Sequence, residues 1–182
     1  MTKPLFPKPY ADAVARLRVP TGFLLVAAFA WFSAPTTASL AVGLPLSLCG
    51  LAWRAWAAGH LAKNQQLATG GPYAYSRNPL YAGTLLVAAG LAVASRSVAL
   101  GLLFAAVFVL VYLPVISLEE QHLSSLFPGY SDYAAQVPLL IPRLSLPGSG
   151  RFRWALYMKN QEYQALAGFL AGCALLVWKA LS

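Results

Sequence analysis

The stretch "GGPYAYSRNPLYAG", residues 70–83, decides how the rest of the chain is interpreted. It combines glycines, two prolines, three tyrosines, an arginine and an asparagine, and it runs directly into the uncharged stretch "TLLVAAGLAVA" at 84–94. Asparagine is favoured as the residue that caps a helix, and proline is favoured at the first helical position. The pair Asn78-Pro79 therefore predicts a rigid aromatic loop that leads into a membrane helix.

Composition extends this interpretation to the whole chain. Of the 182 residues, 59% are hydrophobic and 10% are charged, whereas soluble domains carry roughly 25% charged residues. The sequence therefore predicts an all-α integral membrane protein that forms a single domain over 1–182. Cys49 and Cys173 lie in apolar runs without a CxxC or Cys/His pattern, so we expect packing roles and no metal site.

Five apolar runs predict about five transmembrane helices. They cover residues 17–32, 39–58, 78–95, 97–118 and 163–178. Several are near the short limit, because a bilayer core needs about 20 helical residues. Between the fourth and fifth runs, segment 119–160 contains prolines and amphipathic stretches, which predict a cytoplasmic amphipathic helix plus loop. In the last run, Gly168 and Gly172 predict close helix packing through small residues.

The basic residues predict the orientation. With five spans, eleven of the thirteen lysines and arginines lie on the side of the N-terminus and the two long loops, and only Arg96 and Lys179 lie opposite. The positive-inside rule then places the N-terminus and both loops in the cytoplasm, in a bacterial inner membrane. The sequence has no basic stripe with interleaved aromatic residues, so we expect no nucleic-acid partner. The first two runs resemble a hairpin more than a cleaved signal peptide.

Two groups of polar residues could carry chemistry. The start of the third span offers unpaired N–H groups and a positive dipole end, with Tyr73, Tyr75 and Tyr81 as aromatic walls. The alternative is a well-capped helix in an interfacial aromatic belt. Glu119 and Glu120 follow the fourth span and diverge by about 100° around a helix, so one of them can point into a cleft. The alternative is that both face water.

Together these segments resemble a known family. The run "GHLAKNQQLATGGPYAYSRNPLYAG" at 59–83, followed by "EEQHLSSLFPGYSDYAAQVPLLIPRL" at 119–144, resembles the membrane methyltransferase superfamily. That group includes the isoprenylcysteine carboxyl methyltransferases and the phospholipid N-methyltransferases. Its pattern is a Gly-Pro-Tyr loop, an Arg-His-Pro-x-Tyr helix start, a Glu-Glu pair and a Phe-x-x-Tyr-x-x-Tyr-like tail.

The resemblance implies a fold plan and a reaction. It implies an N-terminal helical hairpin at 16–59, a donor-binding core at 60–147, and a C-terminal segment with the last helix at 148–182. The implied reaction moves a methyl group from S-adenosylmethionine, as co-substrate, to a lipophilic acceptor in the membrane, in the manner of the isoprenylcysteine enzymes. No nucleic-acid partner is implied.

The resemblance also implies site residues. It assigns catalytic roles to Arg77, Tyr81 and Glu120, and it favours Glu119 as the inward acid. It assigns donor contacts to His60, Gln65, Leu67, Ala68, Gly71, Tyr73, Asn78, Pro79, Leu80, Tyr81, Glu119 and Glu120.

The sequence departs from the family pattern in two places. Asn78 replaces the family's histidine and cannot titrate. The stretch "VYLPVIS" at 111–117 lacks the basic residue that the prenylcysteine enzymes place shortly before the acidic pair.

Three alternative functions stay open at this point. The first is methylation of a phospholipid amine. The second is an NADPH-dependent membrane reductase of the sterol-reductase type, although no nicotinamide-binding fingerprint is present. The third is a non-catalytic membrane module or small transporter. The absence of a charged residue in the middle of a span argues against an ion pathway.

Overall fold

A computed structural model describes residues 6–143 and 150–182, and within these ranges every regular element is a helix. The predicted all-α membrane fold is confirmed. The elements in chain order are α1 (Lys8–Phe32), α2 (Thr37–Ala58), a 3₁₀ turn (Gly71–Ala74), α3 (Pro79–Ser95), α4 (Val98–Val107), a π turn (Phe108–Tyr112), α5 (Leu113–Leu126), α6 (Tyr130–Gln136), α7 (Trp154–Lys159) and α8 (Tyr163–Leu181).

Three helices are long and apolar enough to cross a membrane: α2, the continuous helix Val98–Leu126, and α8. Helix α1 makes a fourth if its two halves, bent by 53°, count as one span. Helix α3 is a shorter apolar helix of 17 residues, which gives about 25 Å at 1.5 Å per residue. The predicted count of five therefore requires both that α1 forms one span and that α3 crosses the membrane, and it stays a prediction.

Helix α1 begins at Lys8, well before the predicted start of the first span at residue 17. The additional turns are amphipathic, because Ala11 and Val14 are buried three residues apart on one face. The bend divides the helix into Lys8–Leu17 and Val19–Phe32. Pro20 explains it, since its ring has no N–H and clashes with the carbonyl of the preceding turn.

The fourth span also continues past its predicted end at residue 118. Helix α5 reaches Leu126, so Glu119 and Glu120 lie within a helix rather than at its end. The residues "EEQHLSSL" are mostly tolerated or favoured in helices, and the helix can leave the apolar layer without a break. As a result, both acids have a defined direction relative to the helix axis.

The closest helix pair is α2 with α3, and glycines make the contact. A Cβ added to Gly50 would lie 2.7 Å from the Val87 nitrogen and 2.8 Å from the Gly83 oxygen. A Cβ on Gly90 would lie 2.5 Å from the Gly43 oxygen. The two backbones therefore touch along the pair, as small residues allow between helices in a membrane.

Serine hydroxyls connect the same two helices. Ser47 donates a hydrogen bond to the Val87 carbonyl at 3.0 Å, and Ser39 donates one to the Ala94 carbonyl at 2.8 Å. Helix α1, by contrast, packs against the α4–α5 helix. A Cβ built on Gly168 or Gly172 of α8 would meet nothing within 4 Å, so the predicted close packing through these two glycines is wrong within the described residues.

The C-terminal ends of α1, α3 and α8 meet at one end of the bundle. The Ala34 N–H donates to the Ser95 carbonyl at 2.9 Å, and the Lys179 ammonium donates to the Ala30 carbonyl at 2.9 Å. The C-terminal end of α2, the N-terminal end of α3 and the acidic pair of α5 lie at the opposite end. That end holds the site described below.

We expect Gly90→Leu to destabilise the protein by at least about 1–3 kcal/mol, the usual cost of overpacking. The reason is that the new side chain would enter the backbone of α2. Gly168→Leu is the matched control, because a Cβ built on that glycine would meet nothing within 4 Å. Thermal unfolding in one detergent measures both variants, and equal melting temperatures would contradict the α2–α3 contact.

Candidate functional site

A cavity of about 850 Å³ opens at the end of the bundle where α2 ends and α3 begins. Its lining mixes apolar residues with charged ones such as Arg54, Arg77 and Glu119, and we call it the polar cavity for these charged groups. Its volume falls within the range of small-molecule binding sites. It brings together seven of the residues that the sequence assigned to the site: Leu67, Ala68, Tyr73, Arg77, Leu80, Tyr81 and Glu119. The other six do not line it: His60, Gln65, Gly71, Asn78, Pro79 and Glu120.

Glu119 faces this cavity from α5 and meets the start of α3. The Tyr81 hydroxyl donates a hydrogen bond to Glu119 Oε1 at 2.9 Å. Tyr81 lies in the first turn of α3, just after Pro79. The beginning of the third apolar run and the end of the fourth therefore come together across the cavity.

Glu120 points to a different neighbourhood. Its Oε1 accepts a hydrogen bond from the Tyr130 hydroxyl at 2.8 Å and lies 3.2 Å from Arg77 Nε. The Arg77 Nε–H is not aligned for a hydrogen bond, so this contact is an ion pair. Glu120 thus connects α5 to α6 and to the loop before α3, and it lies outside the cavity lining.

The loop before α3 is held along the segment that follows α6. The Arg77 N–H donates to the Pro138 carbonyl at 2.9 Å, and the Arg143 N–H donates to the Tyr75 carbonyl at 3.0 Å. The Ser76 hydroxyl donates to the Leu140 carbonyl at 3.0 Å. These bonds join two chain segments more than 60 residues apart, and they fix the backbone on both sides of Arg77, which lines the cavity.

Asn78 belongs to the same set of contacts and occupies the predicted N-cap position of α3. Helix α3 starts at Pro79 as predicted, but the Asn78 side chain makes no capping bond. Its amide instead donates to the Leu139 carbonyl at 3.1 Å. The buried asparagine therefore joins the loop to the segment that follows α6, and it does not line the cavity.

Three buried or partly buried tyrosines, Tyr73, Tyr130 and Tyr133, line the cavity on the side of α6. The Tyr133 hydroxyl donates to the Tyr73 carbonyl at 2.7 Å. Burial raises the pKa of the phenols of Tyr73, Tyr130 and Tyr133 above the ordinary value. All three hydroxyls are therefore neutral hydrogen-bond donors at physiological pH.

His60 and Gly71 form a structural contact away from the cavity. Gly71 has φ +58°, and a Cβ there would lie 2.6 Å from the imidazole of His60. The His60 Nδ1 lies 2.9 Å from the Trp56 carbonyl. The ring of Tyr75 also packs here, 6.2 Å from Trp56, so it is not a wall of the cavity as the sequence predicted. Gln65 is exposed.

A buried ion pair at the cavity was missed by the sequence analysis. Arg54 Nε lies 2.6 Å from Glu162 Oε1, and Arg54 Nη2 lies 2.9 Å from Glu162 Oε2. Arg54 Nη1 also donates to the Leu80 carbonyl at 3.2 Å and to the Thr84 hydroxyl. The signal in the sequence is an arginine near the end of an apolar run and a glutamate just before another, but 108 positions separate the two.

An apolar groove of about 350 Å³ lies next to the cavity, between α1, α3 and the α4–α5 helix. Its lining is almost entirely aliphatic and aromatic. Thr84 and Tyr112 line both the groove and the polar cavity. A molecule with one polar and one apolar end therefore finds matching surroundings on the two sides of these residues.

Comparison with known proteins identifies the family. The family model described as phospholipid methyltransferase matches residues 18–129, which is more than half of the chain. The protein belongs to the phospholipid methyltransferase family. The matched region contains the cavity residues of α2, α3 and α5, and it also contains the apolar groove.

Two curated relatives are similar over a comparable length. The chain is 36% identical over 121 residues to the cobalt-zinc-cadmium resistance protein CzcN of Cupriavidus metallidurans, which covers 65% of this chain and 54% of the relative. It is 36% identical over 118 residues to the nickel-cobalt-cadmium resistance protein NccN of Alcaligenes xylosoxydans xylosoxydans, covering 64% and 54%. The chain spans about half the length of these relatives. No solved structure matches it.

The names of both relatives refer to metal resistance, so possible metal ligands among the described residues are of interest. Across 6–143 and 150–182, no group of three or more His, Cys, Asp or Glu residues could hold a metal ion. The carboxylates of Glu119, Glu120 and Glu162 are paired with tyrosine or arginine side chains instead.

We expect Arg54→Gln and Glu162→Gln each to destabilise the protein by about 2–3 kcal/mol, somewhat less than a fully buried pair, because each leaves a partly buried charge unpaired. The double variant Arg54→Gln with Glu162→Gln should lose less than the sum of the two single losses, since it leaves no charge without its partner. Thermal unfolding of the four proteins forms a double-mutant cycle. Additive losses in the double variant would contradict a direct pair.

Proposed function

We propose that the protein transfers a methyl group from S-adenosylmethionine to a lipophilic acceptor that enters from the membrane. The observation that carries this proposal is the polar cavity at the bundle end, joined at Thr84 and Tyr112 to an apolar groove. Membership of the phospholipid methyltransferase family supports methyl transfer in general. The two joined spaces suit a polar donor and an apolar acceptor.

The charges around the cavity fit a cationic donor. Arg54 pairs with Glu162, and Arg77 pairs with Glu120. Glu119 has the neutral hydroxyl of Tyr81 as its described hydrogen-bond partner. Its carboxylate is therefore available for the ammonium or the hydroxyls of the donor, while Tyr73 and Tyr133 supply aromatic surface.

The reaction needs little from the protein beyond position. The lone pair of the acceptor atom forms the new bond to the methyl carbon, while the carbon–sulfur bond breaks and its electron pair stays on sulfur. A proton on the acceptor passes to Glu119 or to water. Holding the two reactants in contact supplies much of the rate in such a displacement. The proposed roles of Tyr81 and Glu119 are thus to hold and orient the donor.

The pairing of both arginines favours an amine acceptor over a carboxylate. The isoprenylcysteine-type carboxylate that the resemblance implies would need a free cation in the cavity. Arg54 and Arg77 are both occupied by glutamates, and Lys63 at the rim is exposed. A lipophilic amine, as in phospholipid methylation, needs no such cation. A nicotinamide-dependent reductase remains the alternative, to be distinguished by NADPH binding.

We expect Glu119→Gln and Glu120→Gln to differ sharply in donor binding. A charge-assisted hydrogen bond contributes roughly 1.5–3 kcal/mol, so losing it at Glu119 should weaken binding by about one to two orders of magnitude. Glu120→Gln should leave donor affinity within a few-fold and lower the melting temperature, because Arg77 loses its ion pair and the Tyr130 hydroxyl loses a charged acceptor. Calorimetry with S-adenosylmethionine and NADPH measures this. Equal, negligible losses would remove Glu119 from the site.

Membrane vesicles test the transfer and the orientation together. The proposed orientation places the cavity in the cytoplasm, because basic residues predominate at that end. Inside-out inner-membrane vesicles with methyl-labelled S-adenosylmethionine should accumulate label in the lipid fraction, and right-side-out vesicles should not, because the donor is polar and charged. Vesicles without the protein are the control. Label on a water-soluble amine equal to that on lipid would overturn a lipophilic acceptor.

A further inference from the structure

The π turn in the long fourth helix places a tyrosine between the two spaces. Residues Phe108–Tyr112 form this turn between α4 and α5, and single π turns within α-helices are frequent at functional sites. The extra residue shifts the side chains that follow it around the helix axis. Tyr112, the last residue of the turn, lines both the polar cavity and the apolar groove.

Tyr112 belongs to a row of rings that runs from the groove to Glu119. Its ring stacks on Phe108 with centroids 5.9 Å apart, and Phe108 lines the groove. On the other side it meets Tyr81 edge-on at 6.0 Å, and Tyr81 donates to Glu119. The row therefore runs from the apolar groove to the acid that faces the polar cavity.

Thr84 forms the opposite side of this junction. Its hydroxyl donates to the Leu80 carbonyl at 2.9 Å and accepts a hydrogen bond from Arg54. Arg54 is itself held by Glu162 at 2.6 Å. Thr84 is therefore fixed by the buried ion pair, whereas Tyr112 is held by ring packing.

The π turn itself is anchored from α1. The Tyr10 hydroxyl donates to the Leu110 carbonyl at 2.7 Å. This bond uses a backbone acceptor in the middle of the turn, so the first half of α1 supports the position of the turn. The location of Tyr112 thus depends on contacts from three separate parts of the chain.

We propose that Thr84 and Tyr112 form the passage through which the polar end of the acceptor reaches the donor cavity, and that the Tyr112 ring limits how wide that end can be. This proposal rests on the proposed function for the identity of the molecule that passes, which is the methyl acceptor. The existence of the passage does not depend on catalysis. Tyr112 is a specificity-determining residue in this assignment. The acceptor class is a lipophile with a slender polar end and an apolar body in the groove.

The passage is tested by thiol labelling without any methyl transfer. Ala88→Cys places a thiol in the groove, in a background with Cys49→Ala and Cys173→Ala. In lipid nanodiscs, Tyr112→Ala should raise its rate of reaction with a small water-soluble maleimide by about tenfold, as expected from a barrier lowered by about 1.4 kcal/mol. Tyr112→Trp should lower that rate. Reaction with a lipophilic alkylmaleimide, which enters from the bilayer, should not change.

Val109→Ala is the matched control, because it truncates a side chain of the same π turn that does not line the groove. It should leave both labelling rates unchanged. The passage is overturned if Tyr112→Ala and Val109→Ala label alike. It is also overturned if Tyr112→Ala accelerates both reagents equally, which indicates general loosening of the bundle.

The width limit is tested by the products of transfer. With labelled S-adenosylmethionine and a total lipid extract, Tyr112→Ala should yield labelled species with wider head groups that the unchanged protein does not produce. An identical product set would overturn the role of Tyr112 in selection. If neither protein transfers label while the thiol results hold, the proposed function fails and the passage stands.

Discussion

The backbone contact between α2 and α3 is the constraint on which the rest of the structure depends. In a membrane, apolar surface alone does not drive two helices together, so close packing through small residues decides which helices pair. Gly50 and Gly83 permit that approach. One turn further along α2, Arg54 then lies against the Leu80 carbonyl at the start of α3. A wider contact would separate the arginine from α3 and open the cavity wall.

The two neighbouring glutamates have different partners because of helix geometry and because of the position of α6. Consecutive positions diverge by about 100°, and α5 continues as a helix through both acids. Glu119 therefore meets Tyr81, whereas Glu120 meets Tyr130 and Arg77. One acid is directed to the cavity and the other holds α6 in place, so two identical side chains have different surroundings.

The charged groups at the cavity are largely balanced by partners of opposite charge. Ionised groups that leave water are costly unless they are paired, and both arginines at the cavity have a glutamate partner. The carboxylate of Glu119 is left with a neutral phenol hydroxyl. In surroundings of low dielectric constant its attraction for a cation is stronger than in water. The proposed donor, which carries a positive sulfur and an ammonium group, suits this arrangement.

The amino-acid sequence by itself determined the features that depend on neighbouring residues. Hydropathy predicted a helical membrane protein, and the proline at 79 predicted the start of α3, because both effects act within a few positions of the chain. The family motifs also singled out the two acids. The limits of the first and fourth helices were placed too narrowly, because apolar runs end at the lipid boundary while helices continue through it.

Only the tertiary structure decided which distant groups meet. The pairing of Arg54 with Glu162 spans 108 positions, and local patterns cannot pair residues so far apart. The side chain of Asn78 could have capped α3, but the Leu139 carbonyl lies within reach and takes its amide. The direction of Glu119 required the position of α3 against α5. A site built where helix ends meet is therefore decided by helix packing, which depends on contacts along the whole chain.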